Sequence, residues 1–237
     1  MEKEARLLME QKGTTLERQY QLRFSENEHY RNQVWKILCS DFFSRYIPAD
    51  SKVLDVGSGW GEFINNVTAA EKNAMDLNTG VQARLSPEIN FVRQDCSKPW
   101  SFASESLDVV FSSNFLEHLP DKSSIERTLL EAHRCLKDNG TLICMGPNIK
   151  YVSGKYWDFF DHHLPLTEAS LAEVFRLSGF SIELCLSKFL PYSMSTGKNA
   201  PLFLVKMYLH LPMLWPFIGR QFLVIGRKKP KVQGELS

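Results

Sequence analysis

The 237-residue sequence lacks the marks of several large protein classes. Its five cysteines are odd in number, widely spaced and never form C-x-x-C, so neither a disulfide framework nor a zinc site is indicated, and we expect no metal. The formal net charge is only +1, which offers a polyanion no general attraction, so no nucleic-acid partner is expected. The remaining composition, 43% hydrophobic and 23% charged, is that of a globular domain with a sizeable core.

Long apolar runs are missing as well. The stretch MEKEARLLMEQK alternates charges and lacks the apolar segment of a signal peptide, which favours a cytoplasmic location. Residues 201–219 are strongly apolar, but Lys206, His210, Pro212 and Pro216 interrupt them. A membrane span needs about 20 apolar residues in succession. We therefore predict that this segment forms a surface element. Loose contact of its apolar side chains with a bilayer is a further alternative.

Short apolar segments alternate with helical ones through most of the chain. Helical spacing between Lys3 and Ile47 predicts two helices, which we assign to an N-terminal helical extension over residues 1–50. Strands alternating with helices predict an α/β fold whose mostly parallel sheet is covered on both faces. Seven segments are interpreted as strands: residues 53–56, 73–77, 89–93, 107–112, 141–145, 180–186 and 221–226.

Two later helices have clear boundary signals. Residues 123–136 carry apolar side chains on one face, and Asn139-Gly140 is predicted to end this helix. Thr167 opens a second helix as its capping residue. Between these helices, residues 146–166 contain many aromatics and histidines with little periodicity, which predicts a long functional loop.

The strongest chemical signal is VLDVGSGWGEF at residues 53–63, where a predicted strand meets a glycine-rich turn. Gly57 can adopt a backbone conformation that side chains resist, and Gly59 and Gly61 let a ligand approach the main chain closely. Asp76 follows at about the 20-residue spacing expected of a carboxylate that binds a ribose. Its two oxygens can accept hydrogen bonds from two ribose hydroxyls.

A dinucleotide cofactor is the first alternative. Its fingerprint, G-x-G-x-x-G/A, requires a small residue at the position that Glu62 occupies here. A carboxylate at the start of the helix is also a poor neighbour for a pyrophosphate, which binds at the positive end of a helix. S-adenosylmethionine has no phosphate, so the objection does not apply to it. A nucleotide-cofactor oxidoreductase therefore stays the less favoured alternative.

Five stretches resemble successive motifs of the class I S-adenosylmethionine-dependent methyltransferases. They are VLDVGSGWGEF at residues 53–63, MDLN at 75–78, QDC at 94–96, LDVVFSSNFLEHLP at 107–120 and LKDNGTLICMGPN at 136–148. The resemblance implies a methyltransferase domain over residues 51–229, followed by a tail at 230–237. It also implies a doubly wound, Rossmann-like, seven-stranded and mostly parallel sheet with an antiparallel last strand.

The resemblance further implies residues for the methionine half of the cofactor. Asn114 and Phe115, after the fourth strand, would line the floor beneath the sulfonium. Asp55 would face the methionine part, although it could instead only cap the turn. The main chain of the turn would meet the same part of the cofactor, at Gly57, Ser58, Gly59 and Gly61.

For the adenosine half, the resemblance implies four positions. Asp76 would bind the ribose, and Leu77 would pack on the adenine. Asp95 would accept a hydrogen bond from the exocyclic amine, and the main chain of Cys96 would face the ring. Asp95 also has a simpler interpretation as an ordinary loop residue.

Methyl transfer leaves little sequence trace of its acceptor, because alignment and exclusion of water supply most of the rate. We assign the acceptor side to the N-terminal helices, the loop 146–166 and a cap formed by residues 201–219. The stretch YWDFFDHHLPLTEASLAE resembles bacterial methyltransferases found with polysaccharide or lipid-linked sugar assembly. That resemblance implies a hydroxyl group of a small molecule or sugar as the acceptor.

A hydroxyl is a poor nucleophile, so a general base is expected to take its proton during the reaction. His162 and His163 are the first candidates, because Asp161 stands beside them and both follow the fifth strand. His118 is the alternative base, or a structural side chain. A non-catalytic module that binds S-adenosylmethionine also remains open.

Overall fold

The structure is a computed structural model that describes residues 27–192 and 199–230. The second predicted N-terminal helix is present as α1, Glu28–Asp41. The first lies outside the described residues, as does the tail from residue 231 onward. The seven predicted strands are all found, as β1 Lys52–Val56, β2 Glu71–Asp76, β3 Asn90–Arg93, β4 Leu107–Ser113, β5 Leu136–Pro147, β6 Phe180–Leu186 and β7 Gln221–Lys228.

Helices connect most of these strands. In chain order after α1 they are α2 Glu62–Asn66, α3 Lys122–Cys135, α4 Ile149–Val152, α5 Glu168–Leu177, α6 Leu202–Leu209 and α7 Trp215–Ile218. As predicted, Thr167 caps α5: its hydroxyl oxygen accepts from the N–H of Ser170 at 3.1 Å. Short 3-10 helices complete the connections, including Leu116–His118 after β4.

All seven strands form one sheet, in the order β3-β2-β1-β4-β5-β7-β6. The pairs from β3 to β5 are parallel, and β7 runs antiparallel to both β5 and β6. The prediction of a mostly parallel, seven-stranded sheet with an antiparallel last strand is therefore confirmed. The strand order reverses between β1 and β4, and open α/β sheets bind ligands at the carboxyl ends of strands beside such a switch point.

Two apolar cores cover the two faces of the sheet. Successive residues of a strand point to opposite faces, so Val53 joins one core and Leu54 joins the other. Helix α1 packs into the first core, where the ring of Trp35 contacts those of Phe63 and Phe111 at centroid distances of 6.0 and 5.9 Å. The N-terminal helix is therefore part of the core that supports β1 and β4.

Helix α3 lies within one residue of the predicted bounds 123–136 at each end. The predicted stop signal was wrong, because Asn139-Gly140 lies inside β5, which begins at Leu136 directly after the helix. The buried Leu136 pairs with Leu107 of β4, and a register shift follows before the regular pairing of the two strands. Strand pairing of an apolar residue thus overrides the local turn signal.

Residues 146–166 also contain more regular structure than the predicted loop. Strand β5 extends to Pro147, and α4 and a 3-10 helix, Ser153–Asp158, follow it. The remainder, from Phe159 to Leu166, has no helix or strand. This last part carries the two candidate histidines.

Residues 201–219 form α6, a 3-10 helix and α7. Tyr208 and Trp215 pack into the first core, while other apolar side chains point to solvent, with Phe217 77% exposed. Among the residues that the structure describes, none of the helices is long and apolar enough to cross a membrane. The exposed side chains place this segment at the surface, and its role as a cap over the acceptor stays a prediction.

Candidate active site

The glycine-rich turn connects β1 to α2 at the carboxyl edge of the sheet. Gly57, Gly59 and Gly61 all have left-handed backbone conformations, with φ of 70°, 55° and 77°, which glycine adopts without steric cost. The N–H groups of Gly57 and Ser58 donate to the carbonyl oxygen of Met75 at 2.8 and 3.3 Å. These two bonds hold the turn against the end of β2.

Asn114 and Phe115 follow β4, the strand beside β1, and Phe115 lies against the turn. A Cβ atom added to Gly57 would lie 2.1 Å from Cγ of Phe115, so the aromatic ring fills the space that a side chain would need. Asn114 has a φ of 50°, and its N–H donates to the carbonyl oxygen of Met145 at 2.8 Å. The two residues are thus placed at the turn, and their contact with a sulfonium stays a prediction.

Asp76 ends β2 and faces the same turn. Its Oδ2 accepts a hydrogen bond from the N–H of Gly59 at 3.0 Å, and its Oδ1 accepts one from the N–H of Asn78 at 2.8 Å. Burial raises the pKa of Asp76 to about 6, although these main-chain N–H groups lower it. Each carboxylate oxygen has two lone pairs, so both can accept a further hydrogen bond from a ligand.

Two more carboxyl groups lie near this turn. Asp55 is buried, and burial together with the carboxyl groups of Asp76 and Glu62 raises its pKa well above the ordinary range. Burial also raises the pKa of Glu62, the first residue of α2, while Arg31 of α1 opposes this rise from 2.5 Å away. A positively charged ligand would favour the ionised forms of Asp55 and Asp76, whereas Glu62 already has the guanidinium of Arg31 beside it.

The candidates for adenine lie at the carboxyl ends of β2 and β3, which are neighbours in the sheet. Leu77 directly follows β2, and Asp95 and Cys96 follow β3. Oδ1 of Asp95 accepts from the N–H and the hydroxyl of Ser97 at 2.9 and 2.7 Å, and the carbonyl oxygen of Cys96 accepts from Nε1 of Trp100 at 2.8 Å. These bonds fix the loop, and the contacts with adenine stay predictions.

Two of the three candidate histidines lie together. The ring of His118, in the 3-10 helix after β4, has its centroid 4.8 Å from that of His162. Nδ1 of His118 lies 3.2 Å from Oδ2 of Asp161 and 3.0 Å from its main-chain oxygen. Burial lowers the pKa of His118, but the bond with Asp161 and the nearby carboxyl groups of Glu117 and Asp161 outweigh it and raise the pKa. His163 is exposed.

Glu117 is a further member of this group, which the sequence analysis did not single out. Its side chain is 2% exposed, and burial raises its pKa while His118 lowers it. One ligand atom from each of Glu117, His118 and His162 lies within 4.8 Å of the other two. The main-chain oxygen of Glu117 accepts from the N–H groups of His163 and Leu164 at 2.8 and 3.1 Å, which holds the loop against the 3-10 helix. The only sequence signal for Glu117 is its place beside His118.

Comparison with protein families supports the predicted class. The family described as "Methyltransferase domain" matches residues 27–184, which is well over half of the sequence. The chain therefore belongs to the methyltransferase-domain family. Among curated proteins, none matches this sequence.

Solved structures share the fold. An S-adenosylmethionine-dependent methyltransferase from Archaeoglobus fulgidus has a TM-score of 0.60 at 19% identity, over 81% of this chain and 94% of that chain. A chain from the Haloferax volcanii complex of the Trm112 activator with a methyltransferase has a TM-score of 0.62 at 16% identity, over 87% and 95%. A [4+2]-cyclase has a TM-score of 0.58 at 18% identity, over 81% and 80%. The fold is thus the Rossmann-like methyltransferase fold, which also includes a protein named for another reaction.

Proposed function

We propose that this protein binds S-adenosylmethionine and transfers its methyl group to a hydroxyl group of a small molecule or sugar. The observation that carries this proposal is the convergence of the buried carboxyl groups of Asp55 and Asp76 at the glycine-rich turn. S-adenosylmethionine carries positive charge on its sulfonium and ammonium groups and has no phosphate. A turn near several carboxyl groups suits such a ligand, whereas the same groups repel a pyrophosphate.

Different residues around the turn would contact different parts of the cofactor. Asp76 would accept hydrogen bonds from the ribose hydroxyls, in addition to those from the main chain. Leu77, Asp95 and Cys96 would surround the adenine at the ends of the two neighbouring strands. Asp55 and the main chain of residues 57–61 would face the methionine part.

Asn114 and Phe115 would line the opposite side, beneath the sulfonium. When bound, the cofactor supplies an electrophilic methyl carbon attached to a positively charged sulfur. Methyl transfer would join the acceptor oxygen to this carbon as the carbon–sulfur bond breaks, with the electron pair left on sulfur and the hydroxyl proton passed to a base. The protein has to align the acceptor, exclude water and receive this proton.

His118 and His162 are better placed for this work than His163. Both rings lie in one group with Glu117 beyond the carboxyl end of β4, and His118 is near enough to Asp76 to influence its pKa. The side chain of His163 is exposed, although its N–H is bonded to Glu117. We therefore assign contact with the acceptor hydroxyl to the first two rings and treat His163 as a part of the loop main chain.

Residues 146–166 and 201–219 would form the acceptor side. The second segment leads into β7, whose first residue pairs with Pro147 at the carboxyl end of β5. A hydrogen bond joins the two segments at this point: the N–H of Asn148 donates to the carbonyl oxygen of Arg220, the residue that follows 201–219, at 3.0 Å. Exposed apolar side chains, such as Phe160 and Phe217, suit an acceptor on a lipid carrier, including a lipid-linked sugar, with loose contact to a bilayer.

Two alternative functions would use the same glycine-rich turn. A nucleotide-cofactor oxidoreductase would use the same turn for a pyrophosphate, but Glu62 occupies the position where the dinucleotide fingerprint has a small residue. A non-catalytic module would bind S-adenosylmethionine without transfer. The first alternative predicts binding of NAD, and the second predicts binding of the cofactor without turnover.

Calorimetry with S-adenosylhomocysteine and NAD tests the proposal, and we expect only the former to bind. Asp76→Ala is expected to weaken this binding more than tenfold, because ribose hydroxyls that lose their acceptor cost roughly 1.5 to 3 kcal/mol. Asp50→Ala is the matched control, since Asp50 is an exposed acid that precedes β1 at the opposite edge of the sheet. Tight binding of NAD, or unchanged affinity in Asp76→Ala, would contradict the assignment.

Affinity for S-adenosylhomocysteine is also expected to depend on pH. Asp76, whose pKa is about 6, binds the hydroxyls best as a carboxylate, so affinity should fall by about tenfold on going from about pH 7.5 to about pH 5. Two neighbours oppose the effect as the pH falls: protonation of Asp55 removes a negative charge beside Asp76, and His118 favours the carboxylate of Asp76. Asp76→Asn should give a flatter profile by calorimetry. A wild-type affinity that stays constant over this range would show that Asp76 does not titrate in the site.

A further inference from the structure

Glu117, His118 and His162 together have the composition of a metal site. One carboxylate and two imidazoles form a donor set that binds divalent transition-metal ions such as Zn²⁺, Co²⁺ and Fe²⁺. We propose that these three side chains bind one such ion. This departs from the sequence-based expectation of no metal, which rested on cysteines and so addressed only thiolate sites.

The chain brings the three ligands together from two segments. Glu117 and His118 are consecutive in the 3-10 helix after β4, and His162 comes from the loop after β5. Their ligand atoms lie within 4.8 Å of one another. Two atoms bound to one ion at about 2.1 Å are at most about 4.2 Å apart, so the ligand atoms would have to move closer together by side-chain rotation to bind an ion.

The surroundings of His118 support this assignment. Both oxygens of Asp161 that contact Nδ1 are acceptors, so Nδ1 carries a proton. In the neutral ring Nε2 then holds the lone pair and is the atom that would bind the ion. Histidines that bind metals almost always donate their other N–H to a carboxylate or a carbonyl group in this way. Asp161 would therefore be the outer partner that orients the ring of His118.

The ring of His162 is held by packing. It stacks on Phe159 with a centroid distance of 4.9 Å, and the ring of Tyr156 lies 4.4 Å from it. The N–H of the next residue, His163, is bonded to the carbonyl oxygen of Glu117. The loop therefore fixes both the position and the plane of this ligand.

Burial of Glu117 favours binding of a cation at this site. Buried charges in proteins are paired or bind metals, because removing them from water is costly. Glu117 is almost inaccessible, and its Oε2 would lie 3.4 Å from a Cβ atom added to Gly146 on β5. A divalent ion would compensate this carboxylate and the nearby carboxylate of Asp161 together.

The catalytic role of the ion rests on the proposed methyl transfer. Binding of the ion by the three side chains does not. Three protein ligands leave coordination positions for an acceptor oxygen, as in catalytic zinc sites. A hydroxyl group bound to such an ion loses its proton to water more readily and becomes a better nucleophile. The acceptor class would then be compounds whose hydroxyl oxygen binds the ion, and the histidines would act as ligands rather than as free bases.

Titration of the chelator-treated, full-length protein with Co²⁺ tests the inference, because absorption bands of the bound ion distinguish nitrogen and oxygen ligands from thiolates. We expect one equivalent to bind. His162→Ala and Asp161→Asn should each weaken binding at least tenfold, since even outer partners of metal ligands contribute that much. His163→Ala is the matched control, as it removes an exposed neighbouring imidazole, and its affinity should equal that of the wild type.

Three results would overturn the inference: no stoichiometric binding of Co²⁺, a thiolate spectrum, or unchanged affinity in His162→Ala. Each would indicate that the three side chains lie close together without binding an ion. Calorimetry with S-adenosylhomocysteine on the same preparations separates this outcome from the proposed function. Metal binding without cofactor binding would contradict the methyltransferase proposal and leave the metal site standing, and the reverse result would do the opposite.

Discussion

Arg31→Ala is expected to lower the free energy of unfolding by about 3 to 5 kcal/mol, the range for breaking a buried ion pair. Arg31 and Glu62 are each 8% exposed, and Nη2 of the arginine lies 2.5 Å from Oε1 of the glutamate. Without the guanidinium, the carboxylate stays in a site that water does not solvate. Urea unfolding followed by circular dichroism measures the loss.

The double variant Arg31→Met, Glu62→Gln is the control for this prediction. It removes both charges and keeps similar side-chain volumes, so it should recover most of the lost stability. Arg227→Ala gives the comparison with an exposed pair, because Arg227 bonds Glu183 at the surface, and a loss of no more than about 1 kcal/mol is expected there. A similarly small loss in Arg31→Ala would mean that the pair between α1 and α2 contributes no more than a surface contact.

Gly57→Val is expected to weaken S-adenosylhomocysteine binding by more than about 100-fold, which corresponds to roughly 3 kcal/mol. A left-handed conformation costs a residue with a Cβ roughly 1 to 2 kcal/mol, and overlap with a packed ring costs about 1 to 3 kcal/mol more. Both apply here, since φ is 70° and the added Cβ would lie 2.1 Å from Cγ of Phe115. Calorimetry measures the binding, and circular dichroism checks that the fold persists.

A pair of smaller substitutions separates the two causes. Gly57→Ala should weaken binding less than valine does, and the same change in a Phe115→Ala background should remove the overlap while keeping the backbone strain. Gly57→Ala is therefore expected to cost less affinity when Phe115 is already alanine than when it is phenylalanine. The first cost is the difference between the double variant and Phe115→Ala, and the second is the difference between Gly57→Ala and the wild type. If Gly57→Ala binds as tightly as the wild type, the ring must move away freely, and the turn is not held as the structure describes.

The parts of the fold that depend on short-range pattern were predictable. Val53, Leu54 and Val56 are apolar because both faces of their strand are buried. The glycines that follow mark the turn, because its left-handed backbone conformations favour glycine. The order of the site along the chain followed in the same way, because the turn and Asp76 stand at the ends of successive strands. The antiparallel β7 came from family resemblance, since no local pattern encodes strand direction.

Contacts between distant segments were not predictable from local pattern. Arg31 meets Glu62 because α1 packs beside α2, and neither residue carries a signal for the other. Asn139-Gly140 lies inside β5 rather than at the end of α3, because pairing with β4 took Leu136 into a strand. Asp161 stands beside His162 in the sequence, yet it contacts His118, 43 residues earlier, because the loop bends back onto the 3-10 helix.

The position of β7 has a consequence for how the chain folds during synthesis. Residues 221–228 lie between β5 and β6 in the sheet, although both of those strands leave the ribosome earlier. Until β7 emerges, β5 presents an unpaired edge on the β7 side, and β6 has no partner in the sheet, an arrangement that invites pairing with other chains. Completion of the sheet therefore waits for contacts between segments far apart in sequence, which slows folding and makes the nascent chain dependent on protection from aggregation.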